Sequence, residues 1–358
     1  MSDDSPPAVL EQALATVVDP ELRRPMLELG MLRDLRIEGS TAFMRVVLTT
    51  PACPLKDQIR GSIEAAVIGT VAGIETIEIT WDANVTSTRG LPGRQEIPGV
   101  RNVLAVSAGK GGVGKTTVSV NTAIALSLSG ARVGLLDADV YGPSVPAMMG
   151  VHEGVRAENR KLIPNESHGV KLMSLGFMTE GNKPVIWRGP MVGQAVKQML
   201  NDVEWGELDY LLVDLPPGTG DASLTLIQSI PVSGVVVVST PQDVALGIAT
   251  KALAMFRNLQ VPVLGIVENM SYFECPDCGS RHNIFSHGGG QDASSALGVP
   301  FLGEVPLHQR VRESGDEGRP VTVSDPDSQA AKAFVQIARK LASQVSIRNS
   351  PAISLAIR

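Results

Sequence analysis

Apolar positions divide the chain into two stretches of different character. In the first, residues 8–81, they follow amphipathic periods. Ala8 to Val18 has helical spacing and stops near Asp19-Pro20, and Leu55 to Val71 returns to it. Between them Leu32–Glu38 and Ala42–Leu48 read as strands joined at Gly39-Ser40, and Ile74–Trp81 alternates as a half-buried strand does. From Val100 onward the pattern changes to short continuous apolar runs: Val103–Val106, Arg132–Leu136, Val170–Ser174, Tyr210–Val213, Gly234–Ser239, Val263–Val267 and Phe301–Pro306. The four consecutive valines in Gly234–Ser239 predict a strand buried on both faces, the mark of a parallel sheet. Helical periodicity falls between the runs: Val118 to Ser129, closing at Gly130, Pro190 to Leu200, a segment of Ala, Leu and Met after Thr240–Leu246, and an amphipathic helix over 328–345. The predicted class is α/β, a central mostly parallel sheet flanked by helices, preceded by a small α+β domain. The predicted boundaries are 8–81 for the small domain and 82–99 for a linker punctuated by Gly90, Pro92, Gly93, Pro98 and Gly99. The large domain spans 100–345 and a loosely held tail 346–358.

Between the first apolar run and the helix after it lies Ser107-Ala108-Gly109-Lys110-Gly111-Gly112-Val113-Gly114-Lys115-Thr116-Thr117, which contains G-x-x-x-x-G-K-[ST] from Gly109 to Thr116. Strand, glycine loop and helix form the context this phosphate-binding motif requires. Glycines let the backbone wrap a phosphate with several N–H groups pointing inward, and the helix adds its N-terminal positive charge. Lys115 can reach the β- and γ-phosphates of a nucleotide, and the Thr116 hydroxyl can ligate Mg²⁺. The large domain is therefore expected to be a P-loop NTPase using ATP and Mg²⁺. Two later runs end in acids. Arg132–Leu136 leads into Asp137-Ala138-Asp139-Val140-Tyr141-Gly142-Pro143-Ser144, and Tyr210–Val213 ends at Asp214-Leu215-Pro216-Pro217-Gly218-Thr219-Gly220-Asp221. Acids at the C-terminal ends of parallel strands lie beside bound phosphates, and Asp214 is placed to hold Mg²⁺ directly or through water.

Composition narrows the partners. The chain has 358 residues, 43% hydrophobic and 19% charged, enough for about two globular domains. A net charge of −6 and 4% aromatic residues give neither a basic stripe nor a stacking surface, so nucleic acid is not expected as a partner. The acidic, polar Met1–Pro7 lacks the regions of a secretion signal, no apolar run approaches a membrane span, and the expected location is the cytoplasm with no membrane partner.

Three cysteines in such a chain argue for ligand or reactive roles rather than a disulfide frame. Cys53 precedes a predicted helix start, where positive charge lowers a thiol pKa, although a lone cysteine is more often a small buried hydrophobe. Glu274-Cys275-Pro276-Asp277-Cys278-Gly279 places two thiols on one tight turn. One C-x-x-C supplies two ligands, and a tetrahedral zinc site or a cubane cluster needs about four. His282 and His287 offer zinc an intrachain answer, at a spacing from Cys278 shorter than that of zinc fingers. A two-fold dimer offers another: Cys275 and Cys278 of two subunits would bridge a [4Fe–4S] cluster. A solvated turn with two free thiols is the third reading. A thioredoxin-like redox pair does not fit the context, since this pair follows a late strand.

The loop Lys110-Gly111-Gly112-Val113-Gly114-Lys115-Thr116 resembles that of the dimerising ATPases that include nitrogenase iron protein and the chromosome-partitioning and division-site ATPases. There the extra lysine crosses to the partner's nucleotide, which implies that role for Lys110. The order of this loop, Asp137–Ser144, Asp214–Asp221, Asn269 and the paired cysteines resembles the Mrp/ApbC iron–sulfur cluster carrier ATPases over roughly residues 8–345. Asp19-Pro20-Glu21 and Thr49-Thr50-Pro51-Ala52-Cys53-Pro54 resemble the cluster-assembly domain that precedes some of them. The resemblance implies a homodimeric, slow ATPase that receives a [4Fe–4S] cluster from donor proteins, holds it at Cys275 and Cys278 and passes it to apoproteins. It further implies that Asp139 orients the attacking water, Asp137 supports Mg²⁺ or its waters, Asn269 reads the adenine edge, and backbone at Pro306 packs near the base. The family pair is often flanked by a histidine; here Asp277 stands between the cysteines. A partitioning or positioning ATPase acting on DNA or a membrane shares the Lys110 loop but leaves the paired cysteines idle. A nitrogenase-iron-protein-like donor would need cysteines near Asp137–Ser144 or Asp214–Asp221, and there are none.

Overall fold

A computed structural model of the chain describes residues 8–87, 96–140, 142–178, 189–218, 221–275 and 278–350. Tyr141, Thr219, Gly220, Pro276 and Asp277, and parts of the predicted linker and tail, lie outside the described residues. The chain divides into one unit of residues up to Thr86 together with those from Ala342 on, and a second of Ser87–Leu341.

The first unit contains α1 (Ala8–Leu14), a ribbon of β1 (Val18–Asp19) and β2 (Arg24–Pro25), then β3 (Leu32–Glu38), β4 (Thr41–Leu48), α2 (Lys56–Val67) and β5 (Thr76–Ala83). The sheet order is β3-β4-β5. β3 and β4 form a hairpin, while β4 and β5 run parallel because α2 carries the chain across between them. α1 is shorter than its periodicity predicts. Val18 and Asp19 pair with Arg24 and Pro25 instead, and Asp19 Oδ1 accepts from Glu21 N at 2.9 Å and Leu22 N at 2.7 Å, turning the chain at Pro20. The core gathers Leu10, Met26, Met44, Ile59 and Ile63, with Cys53 among them.

In the second unit, among the described residues, a nine-stranded sheet runs β10-β11-β7-β12-β6-β13-β14-β15 with β16 also on β14. Its strands are β6 (Val103–Ala108), β7 (Val133–Asp137), β10 (Asn165–Ser167), β11 (Val170–Ser174), β12 (Tyr210–Asp214), β13 (Gly234–Ser239), β14 (Val263–Glu274), β15 (Arg281–His282) and β16 (Phe301–Leu307). Only β10 and β15, at the two ends, pair antiparallel. A small ribbon, β8 (Arg156–Glu158) with β9 (Lys161–Ile163), lies apart from it. The helices are α3 (Lys115–Leu128), α4 (Val145–Met148), α5 (Gly189–Asp202), α6 (Asp221–Ser229), α7 (Asp243–Asn258), α8 (Gly289–Leu297), α9 (Gln309–Asp316), α10 (Val321–Ser324) and α11 (Gln329–Asn349), the last counted with the first unit from Ala342 on. β6, β7, β12 and β13 are buried at every position, which is why continuous apolar runs mark them. No helix among the described residues is long and apolar enough to cross a membrane.

Other boundaries differ from the sequence reading as well. β14 runs on past Val267 to Glu274, because β16 pairs with it through two irregularities that accommodate its polar half. Toward the end of the predicted linker, Ile97 is buried in the core of the second unit and Val100 bridges Leu208. α11 continues past residue 345 to Asn349. Ser346 is buried with its hydroxyl on Ala342 O at 3.0 Å, and Asn349 Nδ2 donates to Thr86 O at 2.7 Å.

Candidate functional site

β6 delivers the chain into the glycine loop, and α3 carries it away from Lys115. Gly114 stands at the turn with φ +78°, and a Cβ there would run into Asn269 Nδ2. Only glycine fits both the backbone angle and the space. Asn269, on β14, uses that closeness: its Nδ2 donates to Val113 O at 2.8 Å, so β14 braces the loop.

Three parallel strands end together at the loop. Register sets Asp214 of β12 beside Asp137 of β7, and Asp137 beside Ser174 of β11. Asp214 is fully buried and accepts from Lys115 Nζ at 2.6 Å, Thr116 Oγ1 at 2.8 Å and Ser119 Oγ at 2.5 Å. Asp137, also fully buried, accepts from Asp139 N at 3.1 Å, Val145 N at 3.3 Å and Ser174 Oγ at 3.1 Å. Burial, and then the negative charge of Asp214, push the Asp137 carboxyl up to about 7. Asp139 Oδ2 stands 3.7 Å from Lys115 Nζ. Lys115 is thus shared by Asp214 and Asp139, while Lys110 reaches sideways to Gln242 Oε1 at 3.2 Å within the same chain.

A cavity of about 270 Å³ opens beside the loop. Its lining includes Thr117, Met270, Pro306, His308, Arg312 and Asp316. The residues fit a magnesium nucleotide on two counts: a glycine cradle that a Cβ would fill, and a donor set of Thr116 hydroxyl with Asp137 and Asp214 carboxylates, hard oxygens of the kind Mg²⁺ takes.

Cys275 and Cys278 lie on the turn between β14 and β15. Gly279 N donates to Cys275 O at 2.8 Å and Cys275 N to Ser280 O at 2.9 Å, closing the turn. Cys275 is half-buried and Cys278 exposed. Hydrogen bonding to Ser280, side chain and then main chain, and to the Cys275 thiol holds the Cys278 thiol below its ordinary range. Cys278 Sγ lies 3.2 Å from Ser280 Oγ on the same turn. His287, one of the zinc candidates, sits on Glu304 at 2.8 Å, and among the described residues the metal-capable group assembled is Glu268, His287 and Glu304, without a cysteine. Cys53 is buried, and burial pushes its thiol up to about 11, against the lowering expected from the helix start.

A family profile described as NUBPL iron-transfer P-loop NTPase matches residues 99–342. The chain belongs to that family. A second profile, described as iron–sulfur cluster assembly protein, matches residues 7–81. The iron–sulfur cluster carrier protein of Synechocystis sp. is 50% identical over 340 residues, 93% of this chain and 96% of the relative. The iron–sulfur cluster transfer protein NUBPL of Mus musculus is 48% identical over 267 residues, 74% of this chain and 83% of the relative. Among solved structures, the nucleotide-binding protein of Archaeoglobus fulgidus in complex with ADP aligns with a TM-score of 0.59 at 37% identity, covering 66% of this chain and 93% of that one.

For this NUBPL-family NTPase the structure brings Lys115, Thr116, Asp137, Asp139 and Asp214 into one cluster and sets Asn269 against the loop that Gly109–Gly114 form. Pro306 and Thr117 line the cavity, and Lys110 stands apart on Gln242. Ser119, Ser174, Gln242, His308 at the start of α9, and Arg312 and Asp316 within it were not marked by the sequence. Ser119 carried a readable signal: it follows Lys115 by one helical turn on the face that α3 buries.

Proposed function

We propose that this protein is an ATP-hydrolysing carrier that holds a [4Fe–4S] cluster between two copies of the chain and hands it to apoproteins. The observation that carries the reading is the position of the two thiols. They share one closed turn at the end of β14, with Cys278 exposed, and β14 is the strand whose Asn269 braces the phosphate loop. Two thiolates per chain are half of the four that a cubane takes, so a second copy completes the set.

The chain's own groups divide the work. Glycine-loop amides of Gly109 to Lys115 and the Thr116–Thr117 end of α3 receive the phosphates. Lys115 leaves Asp214 for the β- and γ-phosphate oxygens. Thr116 and Asp214 would hold Mg²⁺, with Asp137 supporting its waters. Bound Mg²⁺ supplies charge neutralisation at the transferring phosphoryl group. Asp139 orients the attacking water. Lys110 leaves Gln242 and crosses to the partner's nucleotide, so that hydrolysis follows docking of the two copies. Asn269 reads the base edge, and Pro306 backs it in the cavity. The dimer works in the cytoplasm, receives its cluster from donor proteins, and acts without nucleic acid or membrane.

Anaerobic reconstitution tests this. The full chain should take up about four iron per dimer, with cluster absorbance, and Cys275→Ala with Cys278→Ala should abolish both. Iron uptake unchanged in the double variant sinks the proposal. Zinc at the same thiols, found in place of iron after anaerobic isolation, would leave the NTPase and remove the cubane.

A further inference from the structure

The loop after β15 brings a group together that the nucleotide and cysteine chemistry does not use. Glu268 and Glu304 are register partners on β14 and β16, and His287 comes over them from the loop that precedes α8. Glu268 is fully buried and Glu304 half-buried. The ligating atoms of the three side chains all lie within 4.8 Å of one another.

The hydrogen-bond arithmetic at this point does not close. Ser271 Oγ lies 2.5 Å from Glu268 Oε1 and 2.9 Å from Glu304 Oε2. A hydroxyl has one proton, so with both carboxyls ionised one of those contacts sets lone pair against lone pair. His287 Nε2 lies 2.8 Å from Glu304 Oε2 and 2.5 Å from Arg281 Nη2. That nitrogen can donate to the carboxylate or accept from the guanidinium, and not both. In either state one of its contacts is like against like. Two carboxylates and an imidazole nitrogen thus converge with contacts left unmatched among them, which a shared proton or a metal cation between the three side chains would relieve.

In this structure the nearby positive charge is Arg281. Its guanidinium lies 3.4 Å from Glu304 Oε1 and 3.5 Å above the Tyr272 ring. The Arg281 side chain is 45% exposed, so it can swing into water without unfolding anything. The geometry points to a divalent transition-metal site formed by Glu268, His287 and Glu304, for which Arg281 is the exchangeable stand-in. Donors around an ion with bonds of about 2.0–2.2 Å sit about 3–3.5 Å apart, so the site closes by small rotations of the exposed His287 and half-buried Glu304. Glu268 need not move, since Gly288 N at 3.1 Å and Gly290 N hold its carboxylate. Two carboxylates with one imidazole and no sulfur favour Zn²⁺, Co²⁺, Fe²⁺ or Mn²⁺ over Cu⁺. An ion there ties the loop after β15 to β14 and β16, the strand pair from which the cysteine turn projects. The site stands whether or not the cysteines carry a cluster.

The test is titration of the full chain carrying Cys275→Ser and Cys278→Ser with Co²⁺, in excess Mg²⁺ to occupy the nucleotide-side oxygens. One Co²⁺ per chain should bind, with visible d–d absorbance and no thiolate charge-transfer band. His287→Ala and Glu304→Gln should each weaken it by at least about tenfold, since even the loss of an outer-shell partner costs about that much. Arg281→Ala should tighten it, because the competing cation is gone. A salt-bridge cluster that binds no metal would show neither effect. Absence of saturable Co²⁺ binding, or binding that His287→Ala leaves unmoved, overturns the site. If Glu304→Gln fails to fold by circular dichroism, the exposed His287 and Arg281 variants decide alone.

Discussion

Asp214→Asn is the sharpest perturbation of the site, because it removes a charge while keeping a shape. The hydrogen bonds can survive it. The amide oxygen can accept from Lys115 and Thr116 where Oδ2 does now, at 2.6 and 2.8 Å. The amide NH₂ then faces Ser119 Oγ, whose hydroxyl already lies 3.1 Å from Lys115 O and can donate there while accepting from the amide. What is lost is the counter-charge of Lys115, which is only 6% exposed. Removing one partner of a buried pair costs about 3–5 kcal/mol when the other charge is stranded. Here Asp139 remains 3.7 Å from Lys115, so the loss should fall at or below the low end, about 2–3 kcal/mol. At about 2–4 °C per kcal/mol for a unit of this size, the nucleotide-free variant should melt about 4–12 °C below wild type at pH 7. A second readout comes from Asp137. Its folded pKa, about 7, is raised above the unfolded value, so the folded chain binds the proton more tightly. Its contribution favours folding below about pH 4 and is lost as pH rises toward 7. The Asp214→Asn change removes one of the two causes of that rise, so the variant's stability should fall less steeply than wild type's between about pH 5 and 7.5. Differential scanning fluorimetry and urea melts across that range measure both. A melting temperature within a degree of wild type, or parallel pH slopes, would refute the reasoning that Asp214 is the principal counter-ion of Lys115 and a like-charge neighbour of Asp137.

Two further outcomes follow from single residues. Gly114→Ala forces a side chain into left-handed backbone at about 1–2 kcal/mol and drives its Cβ onto the Asn269 amide, so calorimetric ADP affinity should drop by at least about tenfold (about 1.4 kcal/mol); normal affinity would mean that the loop is not braced by β14. Native alkylation at about pH 8 should label Cys278 first and Cys53 only after unfolding, because Cys53 is 7% exposed with its thiol pushed up to about 11; peptide mass spectrometry showing Cys53 labelled as fast as Cys278 would reject the buried, inert reading.

How much of this was legible in the chain depends on how far apart in sequence the interacting groups lie. Val103–Ala108, Tyr210–Asp214 and Gly234–Ser239 announce themselves because burial on both faces favours an apolar residue at nearly every position. The glycine loop is legible because its chemistry is local: backbone, lysine and threonine within one turn. The polar half of β14 is not. Glu268, Asn269, Ser271 and Glu274 break any period, Met270 has φ +55°, and what keeps the segment extended is pairing with β16 across two irregularities. Cys53 was left between two readings for a related reason. The helix start beside it was readable, whereas the apolar cluster around it, which decides its thiol, comes from residues 10 to 74. The same distinction separates the site's membership from its electrostatics. Asp137 and Asp214 could each be picked out as the acid ending an apolar run. That they stand side by side follows only from the register of β7 against β12, which sets two buried carboxylates in adjacent strands around one lysine. On the proposed reading, Lys115 drawn to phosphate would leave those acids facing each other, so the arrangement that stabilises the nucleotide-free loop would also suit it to Mg²⁺.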